Sequence, residues 1–391
     1  MHIVYLHQYF NTPEMAGSTR SFEIGRRLVA CGHSVDMVTS WREPIATRDW
    51  FTSEVAGMRV HWLPVAYSNH LGYRARIMAF LKFAAAAARR AAFLSGDVVY
   101  ATSTPLTIGL PAMYAARRGR IPMVFEVRDL WPELPIAIGA LTNPATRALA
   151  RWLERFCYAH ASKVVALSPG MAAGVAGSGY PAQRIEVIPN GSDLEPDPAG
   201  GQALRRALGI APDKIVVGYA GTFGRINGVR YLVELAAALR EMAQREGLLD
   251  RTLLMPPQQP KGQMAATLSA VDVATSLFLP LPEMESNSAN KFFDALACGC
   301  CVAINYGGWQ EELLRESGAG LRLDRDPRRA AAQLQQLAQD ADGLRDAGHA
   351  ARALALGQFS FDQLAARVEK VLQAACADRG DAPGRPRARD L

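Results

Sequence analysis

Hydrophobic positions along the chain follow two alternating spacings. Short apolar runs, typical of buried parallel strands, are separated by segments in which apolar residues recur every three or four positions, as in amphipathic helices. The runs predict strands at residues 3–6, 35–39, 98–101, 123–127, 164–167, 185–188, 215–220, 271–279 and 301–305. This order of elements predicts an α/β protein in which helices cover mainly parallel sheets.

One interruption of this pattern predicts a domain boundary. Ile188-Pro189-Asn190-Gly191 and the Pro- and Gly-rich residues 195–201 break regular structure near the middle of the chain. We therefore predict an N-terminal domain over residues 1–189 and a C-terminal domain over residues 190–357, facing each other across a cleft. A last helix, at about residues 358–376, is expected to pack back on the first domain. Residues 377–391 are expected to form a disordered tail.

Composition and charge exclude several classes of protein. Of the 391 residues, 49% are hydrophobic and 20% are charged, which is a globular balance. The net charge of +6 lies partly in the tail, and no compact Lys/Arg run predicts nucleic-acid binding. No secretory signal or membrane-spanning run is evident. The six cysteines show neither zinc nor disulfide spacing, so we expect no metal and a cytoplasmic location.

The segment 287–299, NSANKFFDALACG, predicts a ligand site at the start of a helix. Asn290, Lys291 and Asp294 are three and four positions apart, so they share one helical face. A helix N-terminus attracts phosphate, and Lys291 adds a full positive charge. An ordinary buried helix with solvated ends is the alternative. The position of the segment after a predicted strand favours the ligand site, because open parallel sheets bind ligands there.

A glycine-rich turn in the same domain predicts a second phosphate-binding edge. Residues 218–232, GYAGTFGRINGVRYL, place Gly221, Gly224 and Gly228 after a strand, where the backbone can approach a ligand closely. Arg225 in this turn could reach a phosphate. Glycines after a strand more often form a plain turn, so the prediction depends on the nearby helix start at Asn290.

Polar residues also follow the strands of the N-terminal domain. Gly17 lies between the first strand and helix, and His7 ends that strand. Arg128 and Asp129 follow a later strand, where Asp129 could orient an acceptor hydroxyl. The alternatives are an ion pair between Arg128 and Asp129, a helix cap by Asp129, and a structural role for His7.

Five motifs, in order, resemble those of bacterial glycosyltransferase family 4. They are HQYFNTPEMAGSTRSFEIGRRL, FEVRDLWPE, IPNGSD, GYAGTFGRING and SANKFFDALACG, and together they span nearly the whole chain except its tail. The branch they most resemble contains N-acetyl-fucosamine and related amino-sugar transferases of O-antigen and capsule synthesis. The resemblance implies the GT-B fold, two Rossmann-like domains, and retaining transfer from a nucleotide diphosphate sugar without a metal or other cofactor.

The resemblance also implies roles for the candidate residues. The C-terminal domain would hold the donor, Arg225 and Lys291 would neutralise its diphosphate as the leaving group departs, and Asp294 would contact the ribose. Asp129 would act with them in catalysis, and His7 and Arg128 would lie on the acceptor side. The donor-binding residues implied in this way are Gly17, Gly221, Arg225, Asn290, Lys291 and Asp294.

Some positions depart from the family pattern. The first acidic position of the E-x7-E motif falls on Ser286, with Glu283 and Glu285 nearby, and Asn227 stands where a lysine is usual. Between residues 241 and 257, one βα unit of the C-terminal domain is missing from the sequence pattern. An inactive paralogue that only binds a partner or a nucleotide is therefore an alternative. A second alternative is a UDP-N-acetylglucosamine 2-epimerase, against which RDLWPE and SANKFFD argue.

The resulting functional prediction is a retaining glycosyltransferase that moves an N-acetylated amino sugar from a UDP donor. Its acceptor would be a polyprenyl-diphosphate-linked glycan of O-antigen or capsule synthesis. The predicted helix Arg74–Leu94 carries five basic residues among many apolar ones, which is compatible with docking on the anionic inner face of the cytoplasmic membrane. An ordinary packed helix with a basic edge is an equal alternative.

Overall fold

A computed structural model of the protein describes residues 1–15, 17–65, 73–103, 105–221, 224, 226–245, 254 and 261–378. The chain divides into two compact units. The first comprises residues 1–12, 17–188 and 362–391, and the second comprises residues 13–16 and 189–361. Each unit has its own sheet, so each is an α/β unit in its own right.

The first unit is built on an eight-stranded sheet in the order β3-β4-β2-β1-β5-β6-β7-β8. All neighbouring strands are parallel except β3 and β4, which form an antiparallel pair. The strands are β1 (His2–Leu6), β2 (Ser34–Trp41), β3 (Phe51–Val55), β4 (Met58–Pro64), β5 (Val98–Thr102), β6 (Met123–Val127), β7 (Lys163–Ala166) and β8 (Ile185–Val187).

In the described part of this unit, six α-helices lie between the strands, and local sequence explains where two of them begin. They are α1 (Arg20–Ala30), α2 (Tyr73–Phe93), α3 (Gly109–Gly119), α4 (Glu133–Ala137), α5 (Pro144–His160) and α6 (Pro169–Gly177). The Asn143 side chain accepts a hydrogen bond from the backbone N–H of Ala145, and Ser168 does so from Met171. A proline follows each cap, so both helix starts are encoded locally.

The core on one face of this sheet is shared by three helices. Buried residues of α2, α3 and α5 pack in one cluster with strand residues such as Val4, Leu6, Val99 and Phe125. The helices are neighbours in the order α2, α3, α5. Their inward sides therefore cover the same face of the sheet, and their outward sides face away from it in common.

The hairpin of β3 and β4 was not predicted from the sequence. The strand β3 has the sequence FTSEV and three exposed central residues, so it lacks the buried apolar run that marks the other strands. Its turn has positive φ at both Ala56 and Gly57. An exposed edge strand of this kind is stabilised by pairing with its neighbour, which a local pattern does not report.

The second unit has four parallel strands in the order β12-β11-β10-β9. They are β9 (Val217–Gly218), β10 (Val273–Ser276), β11 (Cys301–Ile304) and β12 (Gly320–Arg322). Its helices are α7 (Pro198–Ala207), α8 (Val229–Arg245), α9 (Met264–Ser269), α10 (Asn290–Ala297), α11 (Trp309–Ser317), α12 (Pro327–Ala338) and α13 (Ala341–Gln358). The strands β9 and β10 are shorter than the predicted 215–220 and 271–279, because the predicted runs extend into the residues on either side of each strand.

The predicted loss of one βα unit concerns residues that the structure mostly leaves undescribed. Residues 246–253 and 255–260 lie outside the described residues, and in the described part β9 pairs only with β10. The shortening therefore stays a prediction.

The last helix, α14 (Phe361–Ala377), belongs to the first unit from Asp362 onward and packs against other residues of it. The Arg27 guanidinium pairs with Asp362, and His33 Nε2 lies 2.8 Å from Glu369 Oε1. Arg367 donates to the Val187 carbonyl at 2.6 Å. Residues 379–391, most of the predicted tail, lie outside the described residues. Among the residues described, no helix combines the length and the hydropathy needed to cross a bilayer.

Candidate functional site

The start of α10 presents three predicted residues on one partly exposed face. Asn290, Lys291 and Asp294 all have intermediate exposure, while Phe292 and Phe293 are buried on the opposite side. The helix is preceded by Ala289, which has extended backbone and no side chain able to cap. The first N–H groups of α10 are therefore not capped by the preceding residue, which suits an anionic ligand.

The side-chain amine of Lys291 is largely buried and makes only neutral hydrogen bonds among the described residues. Its Nζ donates to Asn227 Oδ1 at 3.0 Å and to the Leu277 carbonyl at 3.2 Å, and it lies 4.2 Å from the ring centroid of Phe278. Within the described part of the chain it forms no ion pair with a carboxylate. Desolvation by burial lowers the pKa of Lys291 to about 8. The amine is thus a desolvated cation without a negative partner among the residues that the structure describes.

The glycine-rich turn approaches the end of β10 so closely that one of its residues must be glycine. Gly228 has φ of +55°, and a Cβ there would lie 2.6 Å from the Phe278 carbonyl oxygen. The Leu279 N–H donates to the Ile226 carbonyl at 2.9 Å, which fixes this approach. As a result, Asn227 lies within hydrogen-bond distance of Lys291. The glycine-rich turn and the start of α10, which were predicted separately from the sequence as phosphate-binding features, are therefore both close to the Lys291 amine.

The other predicted residues of the turn are described only in part. At Gly221, a Cβ would lie 2.9 Å from the Tyr219 hydroxyl, and that hydroxyl is 3.5 Å from Lys291 Nζ. Arg225 lies outside the described residues, so its role in binding the diphosphate stays a prediction. Tyr219 was not predicted as a site residue, because only the tertiary structure brings its ring close to Lys291.

The loop before α10 is held by a residue of the IPNGSD motif. The Asn190 backbone N–H donates to Ser288 Oγ at 3.0 Å, and its side-chain amide donates to the Ser288 carbonyl. Asn190 is buried, and its Oδ1 has no hydrogen-bond partner in the described part of the chain. IPNGSD was predicted as a domain boundary and as one of the five family motifs, and its contact with the loop before α10 was not predicted.

Two carboxylates lie in the segment before α10, where the family pattern has its first acidic residue. Glu283 and Glu285 lie in the 3-10 turn Pro282–Ser286. A Cβ on Gly307 would be 3.3 Å from Glu285 Oε1, so glycine at that position leaves room beside the carboxylate. Glu283 Oε2 is buried, without a hydrogen-bond partner in the residues described.

In the first unit, Arg128 connects the ends of three elements. Its backbone N–H donates to Ser103 Oγ at 2.9 Å, after β5, and its Nη2 donates to Ser18 Oγ at 2.9 Å, just before α1. Its Nη1 lies 3.4 Å from His7 Nε2, after β1. Among the described residues Arg128 forms no ion pair, so the alternative pairing with Asp129 is not observed. Asp129 itself is exposed.

His7 is buried and is held in its neutral form. Burial, with the positive charges of Arg128 and Arg42, keeps the pKa of His7 well below its ordinary value. Its Nδ1 has no hydrogen-bond partner among the described residues. A neutral imidazole beside Arg128 can orient that side chain or bind a ligand, but it adds no charge of its own.

Gly17 lies at a loop position where a side chain would be strained. Its φ is +130°, and a Cβ would lie 2.5 Å from Asn11 Nδ2. That amide donates to the Ser18 carbonyl at 3.2 Å, and Arg42 donates to Asn11 Oδ1. Gly17 therefore allows the loop to fold against Asn11 immediately before the contact of Ser18 with Arg128.

A buried ion pair lies next to the loop that contains Gly17 and Ser18. Arg20, in the first turn of α1, donates to Glu126 Oε2 at 2.9 Å, and both side chains are fully buried. Glu126 also accepts from Tyr100 at 2.6 Å and from Thr102 at 2.7 Å. Because Glu126 lies two residues before Arg128, the pair fixes α1 relative to the end of β6.

Comparisons with known proteins agree with this architecture. Residues 17–191 match the glycosyl transferase 4-like domain, and residues 249–370 match a glycosyl transferase-like domain. Together the two matches span most of the chain. A similar curated protein is the alpha-maltose-1-phosphate synthase of Mycolicibacterium smegmatis, which is 24% identical over 66% of this chain and 74% of its own length.

Solved structures show the same fold. Sucrose-phosphate synthase from Thermosynechococcus elongatus aligns with a TM-score of 0.76 at 17% identity, over 96% of this chain and 99% of that structure. Anabaena HepE in complex with UDP-glucose aligns with a TM-score of 0.67 at 18% identity, over 96% and 100%. Because both domain matches are to glycosyl transferase domains and the solved structures share the GT-B fold, the chain is a glycosyltransferase of the GT-B fold. It is an enzyme of the hexosyltransferase type.

Proposed function

We propose that this glycosyltransferase transfers an N-acetylated amino sugar from a UDP donor, with retention at the anomeric carbon, to a lipid-linked glycan. The observation that carries the donor side of the proposal is the desolvated amine of Lys291 at the start of α10. Burial of a cation without a carboxylate partner is costly, and a bound anion would offset that cost. A nucleoside diphosphate supplies such an anion beside the hydroxyl groups of its ribose.

The chemistry of the donor follows from the positions of these groups. As the bond between the anomeric carbon and the β-phosphate oxygen breaks, negative charge develops on the leaving diphosphate. The Lys291 amine, the N–H groups of α10 and the predicted Arg225 would stabilise this charge in a site poor in water. Because these cations supply the neutralising charge, we propose that no metal is required.

Neighbouring residues on α10 suit the nucleoside. Asp294 can accept hydrogen bonds from two ribose hydroxyls, and the Asn290 amide offers both a donor and an acceptor. The Anabaena structure with the same fold was solved with UDP-glucose, which supports UDP as the nucleotide. Gly221 would let the backbone approach the diphosphate closely.

The acceptor side of the proposal rests on the first unit. Arg128 has its guanidinium anchored by Ser18 and His7, so its remaining donors are held in a defined direction. A phosphate of a polyprenyl-diphosphate-linked acceptor is a suitable partner for this cation. The exposed Asp129 would orient the acceptor hydroxyl. The five sequence motifs support a role in O-antigen or capsule synthesis, at the cytoplasmic face of the membrane.

Calorimetric titration with UDP, and with GDP as the control, tests the donor side. Selective binding of UDP would support the proposal, and a screen of UDP-sugars with detection of released UDP would then identify the donor. Proton NMR of the product would establish retention from the coupling at the anomeric carbon. If a folded, monodisperse sample binds neither nucleotide, the inactive-paralogue alternative is favoured instead.

A further inference from the structure

The outward sides of α2, α3 and α5 carry most of the exposed large hydrophobic side chains that the structure describes. Seven of the eleven such residues lie on these helices. The four most exposed of all are among them: Phe93 at 81%, Met78 at 64%, Leu149 at 62% and Trp152 at 55%. The others are Ile77, Leu81 and Tyr114. Exposed apolar residues scattered singly need no explanation, but a concentration on one face does.

The helix α2 is apolar on both its sides. Its inward side packs Ala79, Phe83 and Ala87 into the core of the sheet. Its outward side exposes Met78 and Leu81 beside the basic residues Lys82 and Arg89, whereas a water-facing helix would show mainly polar residues there. The helix therefore has a second apolar side that the core of this unit does not cover.

Basic residues accompany this apolar surface. The helices α2, α3 and α5 contain five, two and three basic residues, and a single acidic one, Glu154. Glu154 is buried, and desolvation raises its pKa to about 7, so it offsets little of this charge. Within the described part of the chain, Lys82, Arg89, Arg118 and Arg155 form no ion pair. The surface thus combines unpaired cations with exposed apolar groups.

These three outward sides form one continuous surface. The inward residues of α2, α3 and α5 belong to the same core cluster on one face of the eight-stranded sheet. Because α2 packs against α3 and α3 packs against α5, their outward sides are adjacent and face the same direction. A pocket of about 360 Å³ opens beside the C-terminal half of α2, lined by Trp50, Ala86, Arg89, Arg90 and Phe93.

We propose that this surface, the outward sides of α2, α3 and α5, docks on an anionic phospholipid bilayer. Met78, Leu81, Phe93, Leu149 and Trp152 enter the interfacial region, and the surrounding cations contact lipid phosphates. The pocket beside Arg89 receives a headgroup. The inference names the membrane surface for the lipid-linked acceptor proposed above, but it depends on none of the donor-site residues.

Charge complementarity decides between this occupant and a second copy of the chain. A symmetric dimer through this surface would bury the apolar side chains, but it would also place the cations of one copy against those of the other. An anionic bilayer satisfies both the apolar and the charged groups. We therefore assign the surface to lipid.

Flotation with vesicles of phosphatidylcholine, with and without phosphatidylglycerol, tests the inference. The wild-type protein is expected to bind only the anionic vesicles, and to lose binding as salt rises. Each basic residue near a membrane surface strengthens binding about fivefold, so Lys82→Glu/Arg89→Glu should weaken it by more than about tenfold. Met78→Ser/Phe93→Ser should weaken binding to the same vesicles at low and high salt alike.

The matched control places similar changes on an exposed helix of the second unit. Arg230→Glu/Val233→Ser on α8 removes one exposed cation and one exposed apolar side chain, and it should leave vesicle binding unchanged. UDP titration of every variant separates this test from the donor site. The inference fails if the wild type does not bind anionic vesicles at low salt, or if the control variant is weakened equally. It also fails if lipid-free protein dimerises in a manner that Met78→Ser/Phe93→Ser abolishes.

Discussion

Replacing Lys291 by methionine should stabilise the protein and weaken its binding of UDP. Methionine retains most of the length and apolar volume of the side chain but removes the charge. In the folded protein the amine is desolvated and has no carboxylate partner among the described residues, so the charge costs stability when no ligand is bound. The same charge is expected to contribute favourably once a diphosphate is present. The two effects therefore have opposite signs.

The size of the stability effect follows from the shifted pKa. Burial lowers the pKa of Lys291 from 10.5 to about 8, and each unit corresponds to about 1.4 kcal/mol, which sets an upper limit of about 3 kcal/mol. Loss of hydrogen bonds to Asn227 and to the Leu277 carbonyl offsets about 1 kcal/mol each. We expect Lys291→Met to raise the free energy of unfolding by about 1 kcal/mol at pH 7.

The pH dependence of stability provides a separate check on this reasoning. Because the folded pKa of Lys291 is lower than the unfolded value, the unfolded state binds more protons between these two values. The contribution of this residue to wild-type stability should therefore rise with pH from about 8 to 10.5. Lys291→Met should lack this rise, which urea unfolding at several pH values can measure.

The effect on binding is larger. A hydrogen bond between charged groups contributes about 1.5–3 kcal/mol, so Lys291→Met should weaken UDP binding by about 10- to 150-fold. Above pH 8 the wild-type amine loses its proton, and affinity should fall by up to about tenfold per pH unit, whereas the variant should show no such fall. Calorimetric titration at pH values from about 7 to 9 measures both.

A matched lysine in the same unit provides the control. Lys214 is exposed and lies 3.7 Å from Asp213, so Lys214→Met should change neither stability nor UDP affinity appreciably. The reasoning is refuted if Lys291→Met binds UDP as tightly as the wild type at pH 7. It is also refuted if the control variant loses affinity to the same extent.

Further predictions concern both units. Asp294→Ala should weaken UDP binding about 5- to 30-fold while leaving pyrophosphate binding unchanged, and an equal loss for both ligands in calorimetry would contradict a ribose contact. Arg20→Ala leaves Glu126 buried without its partner and should lower the free energy of unfolding in urea by about 3–5 kcal/mol; a loss under 1 kcal/mol would contradict the role of the pair. Gly17→Ala forces a Cβ into Asn11 at unfavourable φ and should lower kcat without changing UDP affinity in the second unit, whereas unchanged kcat would remove Gly17 from the site. Transfer should persist in EDTA, and its abolition would contradict the metal-independent proposal.

Much of the fold was predictable because its strands are buried and apolar. The runs at residues 3–6, 98–101 and 123–127 became β1, β5 and β6, each with every residue buried or nearly so. The edge strand β3 was missed because its polar residues carry no such pattern. The ends of β9 and β10 were also predicted wrongly, because the sequence pattern does not distinguish an apolar residue in a loop from one in a hydrogen-bonded strand.

The candidate site was predictable at the level of positions but not of contacts. Helical spacing placed Lys291 beside Asn290 and Asp294, because that relation is local. The contact between Lys291 and Asn227 spans 64 residues of sequence and depends on the approach of Gly228 to β10. The contact of Arg128 with His7 spans 121 residues and arises only because two parallel strands end at the same edge of the sheet.

The most direct test of the donor site is the position of the diphosphate in a crystal structure of the UDP complex. We expect phosphate oxygens about 2.8 Å from Lys291 Nζ and close to the first N–H groups of α10, with the ribose beside Asp294. A diphosphate bound elsewhere, with the Lys291 amine still on Asn227 and the Leu277 carbonyl, would contradict it.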